Sequence, residues 1–203
     1  LRDLLAPPAI ETPRLPARYA WLVVLLWAPY VALNTLFPGP LLTYAVGLLI
    51  AALALGLLWR GGVAPSQCFV RVGGLSRQGT VLLVALSIFI PAALLLGRGQ
   101  PLSWQNDLVF APASALGQEL YFRAALFTAC ARLCRGNTTL ALNLQAGGFA
   151  LWHIRAFQVV AFAPASGVLV VTFVAGVLWG LQVARDRTIF YAALEHAIFL
   201  IVQ

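Results

Sequence analysis

Residues 41–59, LLTYAVGLLIAALALGLLW, decide the fold, because the whole run contains no charged side chain. A helix needs about 20 mostly apolar residues to cross the hydrocarbon core of a bilayer. In lipid a helix also satisfies its own backbone hydrogen bonds, which an open strand cannot do. The stretch therefore reads as a membrane span entered through the tight turn Pro38-Gly39-Pro40. Working outward, the chain divides into further runs of the same kind. A first span is expected from Tyr19 to Phe37, and the second from Leu41 to Trp59. A third follows from Gly79 to Leu96, a fourth from Leu108 to Ala131 and a fifth from Thr139 to Phe162. The sixth covers Val168 to Ala184, and the seventh runs from Ile189 to the end. Pro112 kinks the fourth span or marks its first turn. The expected fold is all-α, a polytopic transmembrane helix bundle of about seven spans forming a single membrane-embedded domain over residues 1–203. Residues 1–18, rich in proline and charge, read as an N-terminal surface arm, and Arg60 to Gln78 as a polar loop.

Composition agrees. Hydrophobic residues make up 62% of the 203 and charged residues only 9%, with mean hydropathy +0.91. A soluble domain carries about 25% charged residues, so this chain has too few to cover a water-facing surface. Three cysteines are too few for a disulfide framework, and Cys130 and Cys134 read as small packing residues. The first apolar run is long and lacks a small-residue cleavage site, so no cleavable signal peptide is expected.

The net charge is +7, and every basic residue is arginine. The arginines fall between apolar runs and form no basic stripe with interleaved aromatics, so no nucleic-acid partner is expected. They report topology instead. With a cytoplasmic N-terminus, Arg2, Arg14, Arg18, Arg60, Arg71, Arg77, Arg132, Arg135, Arg185 and Arg187 fall on the cytoplasmic side, as the positive-inside rule requires. The expected location is a membrane, crossed several times, with the lipid bilayer as partner.

Ionisable groups inside spans are costly and mark function. Glu119, Arg123, His153 and His196 lie well inside, with Gln118 and Glu195 as polar neighbours. Glu119 and Arg123 are four apart, which puts them on one helix face within ion-pair reach. Such a pair, taken alone, serves to pin helix packing. Two histidines and a carboxylate on three separate helices are harder to explain by packing, because histidine serves as general base, oxyanion donor or metal ligand.

Gln118-Glu119-Leu120-Tyr121-Phe122-Arg123 resembles the EExxxR motif of the CPBP intramembrane proteases, the family of CaaX prenyl endopeptidases and bacterial Abi-type proteins. Phe149 to His153 is similar to its FxxxH motif. The run from Ala175 to His196 is similar to its approach to a third motif, HxxxN. Order and spacing agree, and the resemblance covers residues 108–203 as a catalytic half. It implies a bacterial, glutamic-type intramembrane endopeptidase of the inner (plasma) membrane, without a cofactor. The first motif residue and His153 would activate a water, His196 would stabilise the oxyanion, and Glu119 with Arg123 would form a supporting pair. Zinc, which accepts two His, one Glu and a water, is the alternative mechanism.

Two departures bear on activity. Gln118 stands where the family has its first glutamate, and Leu200 where it has asparagine. An amide cannot take a proton from water at neutral pH, so the chain as written is expected to be inactive or severely impaired. Three explanations stay open: Glu occupies position 118 in nature, the protein is a non-catalytic binding or immunity-type relative, or Glu119 serves as base. Asn143, Asn34 or a backbone N–H could replace the missing asparagine. The expected partner is a membrane-tethered protein or peptide, such as a C-terminal sorting segment presented from the outer side. A small proton-coupled transporter is the rival of another class, but no inverted repeat supports it.

Overall fold

The computed structural model describes residues 6–37, 39–87, 104–159 and 161–202. Seven helices run through them: α1 (Ala17–Leu36), α2 (Pro40–Arg60), α3 (Arg77–Ser87), α4 (104–133), α5 (Thr138–Trp152), α6 (Phe162–Asp186) and α7 (Phe190–Val202). No strand occurs among the described residues. The architecture is the all-α bundle expected. Three stretches, Ala17–Leu36, Thr43–Arg60 and Phe162–Asp186, are long and apolar enough to cross a membrane, and Phe190–Ile201 is a shorter apolar helix.

Local chemistry explains most boundaries. Pro40 opens α2 at a position where a missing N–H costs nothing. In α1 the helix breaks at Leu26, three residues before Pro29, which can donate no hydrogen bond to the preceding turn. The third expected span starts two residues early at Arg77, and residues 88–96 of it lie outside the described residues.

α4 is continuous from 104 to 133 but widens twice into π-helical geometry, over Trp104–Phe110 and over Leu120–Leu126. Pro112 falls just after the first widening and opens the regular α segment that follows. The second begins immediately after Glu119 and contains Arg123. π-helical turns inside α-helices recur at functional sites. α4 is also the central element, packed against α1, α2, α5 and α7. Its close approach to α2 requires glycine: a Cβ on Gly117 would stand 3.2 Å from the backbone of Gly47 and Leu48.

The fifth span differs from expectation. It was expected to run to Phe162, yet α5 ends at Trp152 and is followed by a 3-10 turn, His153–Arg155, and a helical turn, Ala156–Val159. The last carbonyls of a helix lack intrahelical partners, and side chains supply them here. Trp27 Nε1 donates to Gly148 O at 2.9 Å, His153 Nδ1 to Phe149 O at 2.9 Å, and Asn34 Nδ2 to Trp152 O at 3.2 Å. Two of these donors come from α1, so the end of α5 is fixed by a tertiary contact invisible in its own periodicity. α6 correspondingly begins at Phe162, six residues before the expected Val168, and accommodates Pro164 in its first turn.

The N-terminal arm, non-helical up to Pro16, lies across the opposite end of the bundle from the α1–α2 turn. Arg132 Nε donates to Leu15 O, and Arg187 and Arg185 donate to Ala9 O and Ala6 O. Leu15 is buried beneath it.

Candidate functional site

The site residues named from sequence fall into two adjacent groups. Gln118 from the middle of α4 and His153 from the turn after α5 line one cavity of about 560 Å³, together with Asn34, Ser114, Trp152, Arg155 and Leu200. Gly39, Thr43 and Tyr44 close it from the α1–α2 turn and the start of α2. Glu119, Arg123, Phe149 and His196 form a second, fully packed cluster behind it.

Helical geometry produces this split. Gln118 and Glu119 are consecutive, so their side chains diverge by about a quarter turn. One faces the cavity and the other faces α7. There Glu119 Oε1 accepts a 2.8 Å hydrogen bond from His196 Nδ1, and Oε2 lies 3.2 Å from Arg123 Nε. The Arg123 contact is close enough to pair charge but is not aligned as a hydrogen bond. Glu119 and Arg123 are both wholly inaccessible to solvent.

Aromatic faces complete the cluster. The Arg123 guanidinium sits 4.0 Å over the Phe149 ring and 5.4 Å from that of Trp179, and cation–π attraction is strongest when both partners are desolvated. Its two terminal nitrogens have no hydrogen-bond partner among the described residues. Trp179 stacks on His196 at 4.5 Å and donates its indole N–H to Glu195 at 3.2 Å. Phe149 joins the two groups, since its ring touches Arg123, His196 and His153.

The hydrogen bonds fix which nitrogens can do chemistry. A backbone carbonyl only accepts, so His153 Nδ1 carries the proton and neutral His153 keeps a lone pair on Nε2. His196 Nδ1 likewise donates to the Glu119 carboxylate. His196 does not line the cavity. Gln118 donates from Nε2 to Ser114 Oγ at 2.9 Å, and its Oε1 is buried without a partner. Among the possible replacements for the motif asparagine, Asn34 lines the cavity beside Leu200. Asn143 is exposed and binds its own helix at Thr139 O. Among the described residues, no three of His, Cys, Asp and Glu gather as a metal would require.

Sequence reasoning missed Ser114, Arg155 and Trp179. Ser114 lies four residues before Gln118, the one spacing that could have marked it. Trp179 carried no comparable signal, because its role depends on α7.

No curated protein and no solved structure matches the chain. Residues 100–202 match a protease family described as type II CAAX prenyl endopeptidase Rce1-like. The match spans α4 to α7, which contribute every residue of both groups except those from α1 and α2. With just over half its length covered and its composition that of a membrane bundle, the chain belongs to the Rce1-like family of CAAX-type intramembrane proteases.

Proposed function

We propose that the protein is an intramembrane endopeptidase that hydrolyses a peptide bond of a membrane-tethered protein, and that Gln118 leaves it severely impaired as written. The carrying observation is the shared cavity of Gln118 and His153, in which His153 Nε2 holds a free lone pair. A carboxylate at 118, aided by His153, would take a proton from a water between them. The resulting hydroxide adds to the scissile carbonyl carbon. The tetrahedral intermediate then collapses, and the abstracted proton passes to the leaving nitrogen, giving a carboxylic acid and an amine. The amide of Gln118 can accept a hydrogen bond from that water through Oε1 but cannot take its proton.

Oxyanion stabilisation falls to Asn34, which lines the cavity. Asn34 commits one Nδ2 hydrogen to Trp152 O and has a second to offer. His196, expected from the motif to be an oxyanion donor, lies off the cavity wall with Nδ1 donating to Glu119, which supports a positioning role for it. Glu119 itself is committed to Arg123 and His196 and lies off the cavity wall, which supports a positioning role and counts against its use as the base.

The cavity lies at the end of the bundle that holds the α1–α2 turn, opposite the arm and Arg132, Arg185 and Arg187. The positive-inside rule makes the arginine end cytoplasmic. On this reading the chain sits in a bacterial inner membrane and takes a segment, such as a C-terminal sorting helix, from the outer side.

The test is Gln118→Glu in membranes containing acylated reporter peptides. Cleavage that appears in the Gln118→Glu variant and disappears when His153→Ala is added supports the protease. General-base removal typically costs about 10²–10⁴ in rate. A second reading, a non-catalytic relative that binds membrane segments, is favoured by Gln118 together with Leu200. It is the outcome if Gln118→Glu binds peptides but yields no turnover.

A further inference from the structure

A second cavity, of about 350 Å³, lies at the other end of the bundle and shares no described lining residue with the first. Four separate parts of the chain meet there. The N-terminal arm contributes Glu11, the stretch 66–71 contributes Ser66, Gln67 and Arg71, α4 contributes Thr128, and the α6–α7 junction contributes Arg187. Two guanidiniums at one small cavity repel each other unless an anion lies between them. Backbone contacts hold these two in place: Arg71 Nε donates to Arg187 O at 2.8 Å, and Arg187 donates through one terminal nitrogen to Ala9 O at 3.2 Å. Both terminal nitrogens of Arg71 keep their hydrogens uncommitted among the described residues. Glu11 pairs with neither arginine, so the described wall carries an excess of positive charge.

The hydroxyl of Thr128 is a second and independent sign. A threonine inside a helix can return its hydroxyl to the carbonyl four residues back, as Thr35 does to Val31 O and Thr172 to Val168 O, both at 2.8 Å. Thr128 is 2% exposed and makes no such bond; its Oγ1 is buried without a partner among the described residues. A buried hydroxyl left unpaired is destabilising, and a ligand that accepts from it removes that cost. Gln67 commits its Oε1 to Ala64 N at 2.9 Å, which leaves its amide NH2 to donate.

We propose that this cavity binds a phosphate group, with Arg71 and Arg187 balancing its charge and Thr128 donating to one of its oxygens. Donors outnumber acceptors among these side chains, which suits a ligand that only accepts. Phosphate presents several acceptor oxygens in different directions, so donors from separate segments reach it together, and guanidinium meets it in a two-pronged pair. Bound there, it bridges the arm, α4 and the α6–α7 junction. The site stands apart from the protease reading and survives its failure. Two sources carry the same chemistry. One is a phospholipid headgroup, since basic pockets on the cytoplasmic side of membrane bundles take anionic headgroups. The other is a soluble phosphate compound.

The full chain, solubilised in a maltoside detergent that carries no phosphate, is titrated with inorganic phosphate, dihexanoyl phosphatidylglycerol and uncharged dihexanoylglycerol. At least one phosphate-bearing probe should bind about 10-fold or more tighter than dihexanoylglycerol and raise the melting temperature. Phosphatidylglycerol ahead of inorganic phosphate by about 10-fold or more assigns the site to a lipid headgroup. Comparable or weaker binding of the lipid assigns it to a soluble ligand. Arg71→Gln should weaken binding by about 10-fold or more, and Arg71→Lys, which keeps the charge but not the fork, by less. Thr128→Val, nearly equal in size, should weaken binding by about 5-fold without lowering the melting temperature of the free protein, because it removes only an unpaired hydroxyl. It decides the matter even where Arg71→Gln fails to fold. Arg135→Gln, at an exposed position off the cavity, is the control. The proposal is overturned if neither phosphate-bearing probe outbinds dihexanoylglycerol, if Thr128→Val binds as tightly as the intact chain, or if Arg135→Gln weakens binding as much as Arg71→Gln does.

Discussion

Glu119 on α4 and His196 on α7, separated by 77 positions in the chain, are joined by a 2.8 Å hydrogen bond in which His196 Nδ1 donates. The carboxylate also balances the charge of Arg123, so one buried anion holds the His196 imidazole and a guanidinium at once. Burying a carboxylate without partners costs far more than burying it paired.

Removing Arg123 should therefore be severe. Arg123→Ala is expected to destabilise the protein by about 3–5 kcal/mol, because it leaves Glu119 uncompensated. Replacing both members, Glu119→Gln with Arg123→Leu, should recover much of that loss. Thermal unfolding in detergent measures both. Equal melting of Arg123→Ala and the intact chain would show that the cluster carries no such charge balance.

Asn34 has two jobs that can be separated. In a cleaving Gln118→Glu background, Asn34→Leu should lower kcat by about 10²–10³, the usual effect of losing one oxyanion donor. It also releases the Trp152 carbonyl. Trp27→Phe releases the neighbouring Gly148 carbonyl of the same helix end. If both variants lose turnover equally, the effect belongs to the end of α5 and Asn34 is no oxyanion donor.

Gly117 precedes Gln118 and touches the α2 backbone. A methyl group there meets backbone atoms at 3.2 Å, and backbone yields less readily than a side-chain tip. Gly117→Ala is expected to cost about 1–3 kcal/mol by overpacking and to weaken peptide binding through displacement of Gln118. Gly147, with open space around it, is the control, and Gly147→Ala should leave both properties intact.

Cys134 reports orientation. It is half-buried in the turn between α4 and α5, whereas Cys68 and Cys130 are buried. A membrane-impermeant maleimide should modify Cys134 in inside-out vesicles and not in intact cells. Burial raises its thiol above the ordinary value, so less thiolate is present near neutrality, and labelling should quicken as pH rises. Labelling from the outside of intact cells would invert the proposed topology.

The helical class and the positions of α1, α2, α4 and α7 were legible in the sequence because they depend on local quantities. A run such as 41–59 can satisfy its backbone in lipid only as a helix, and prolines mark its start. The candidate residues were legible for a related reason. A charge within an apolar run is costly wherever the run packs, so Glu119, Arg123, His153 and His196 stood out before any contact was known. Their sorting did not. Consecutive positions such as Gln118 and Glu119 look equivalent in a motif, and only the neighbours of each face distinguish them.

The sequence by itself determined that the chain is a helical membrane bundle carrying a protease-like set of polar residues, since hydropathy and motif spacing are properties of adjacent positions. The tertiary structure decided that Gln118 and His153 share a cavity with Asn34 and Arg155, and that Glu119 and His196 are bonded behind it. It also decided that α5 stops at Trp152. Each of these depends on donors and faces supplied by helices far away in the chain, and a distant donor leaves no trace in the local pattern it terminates.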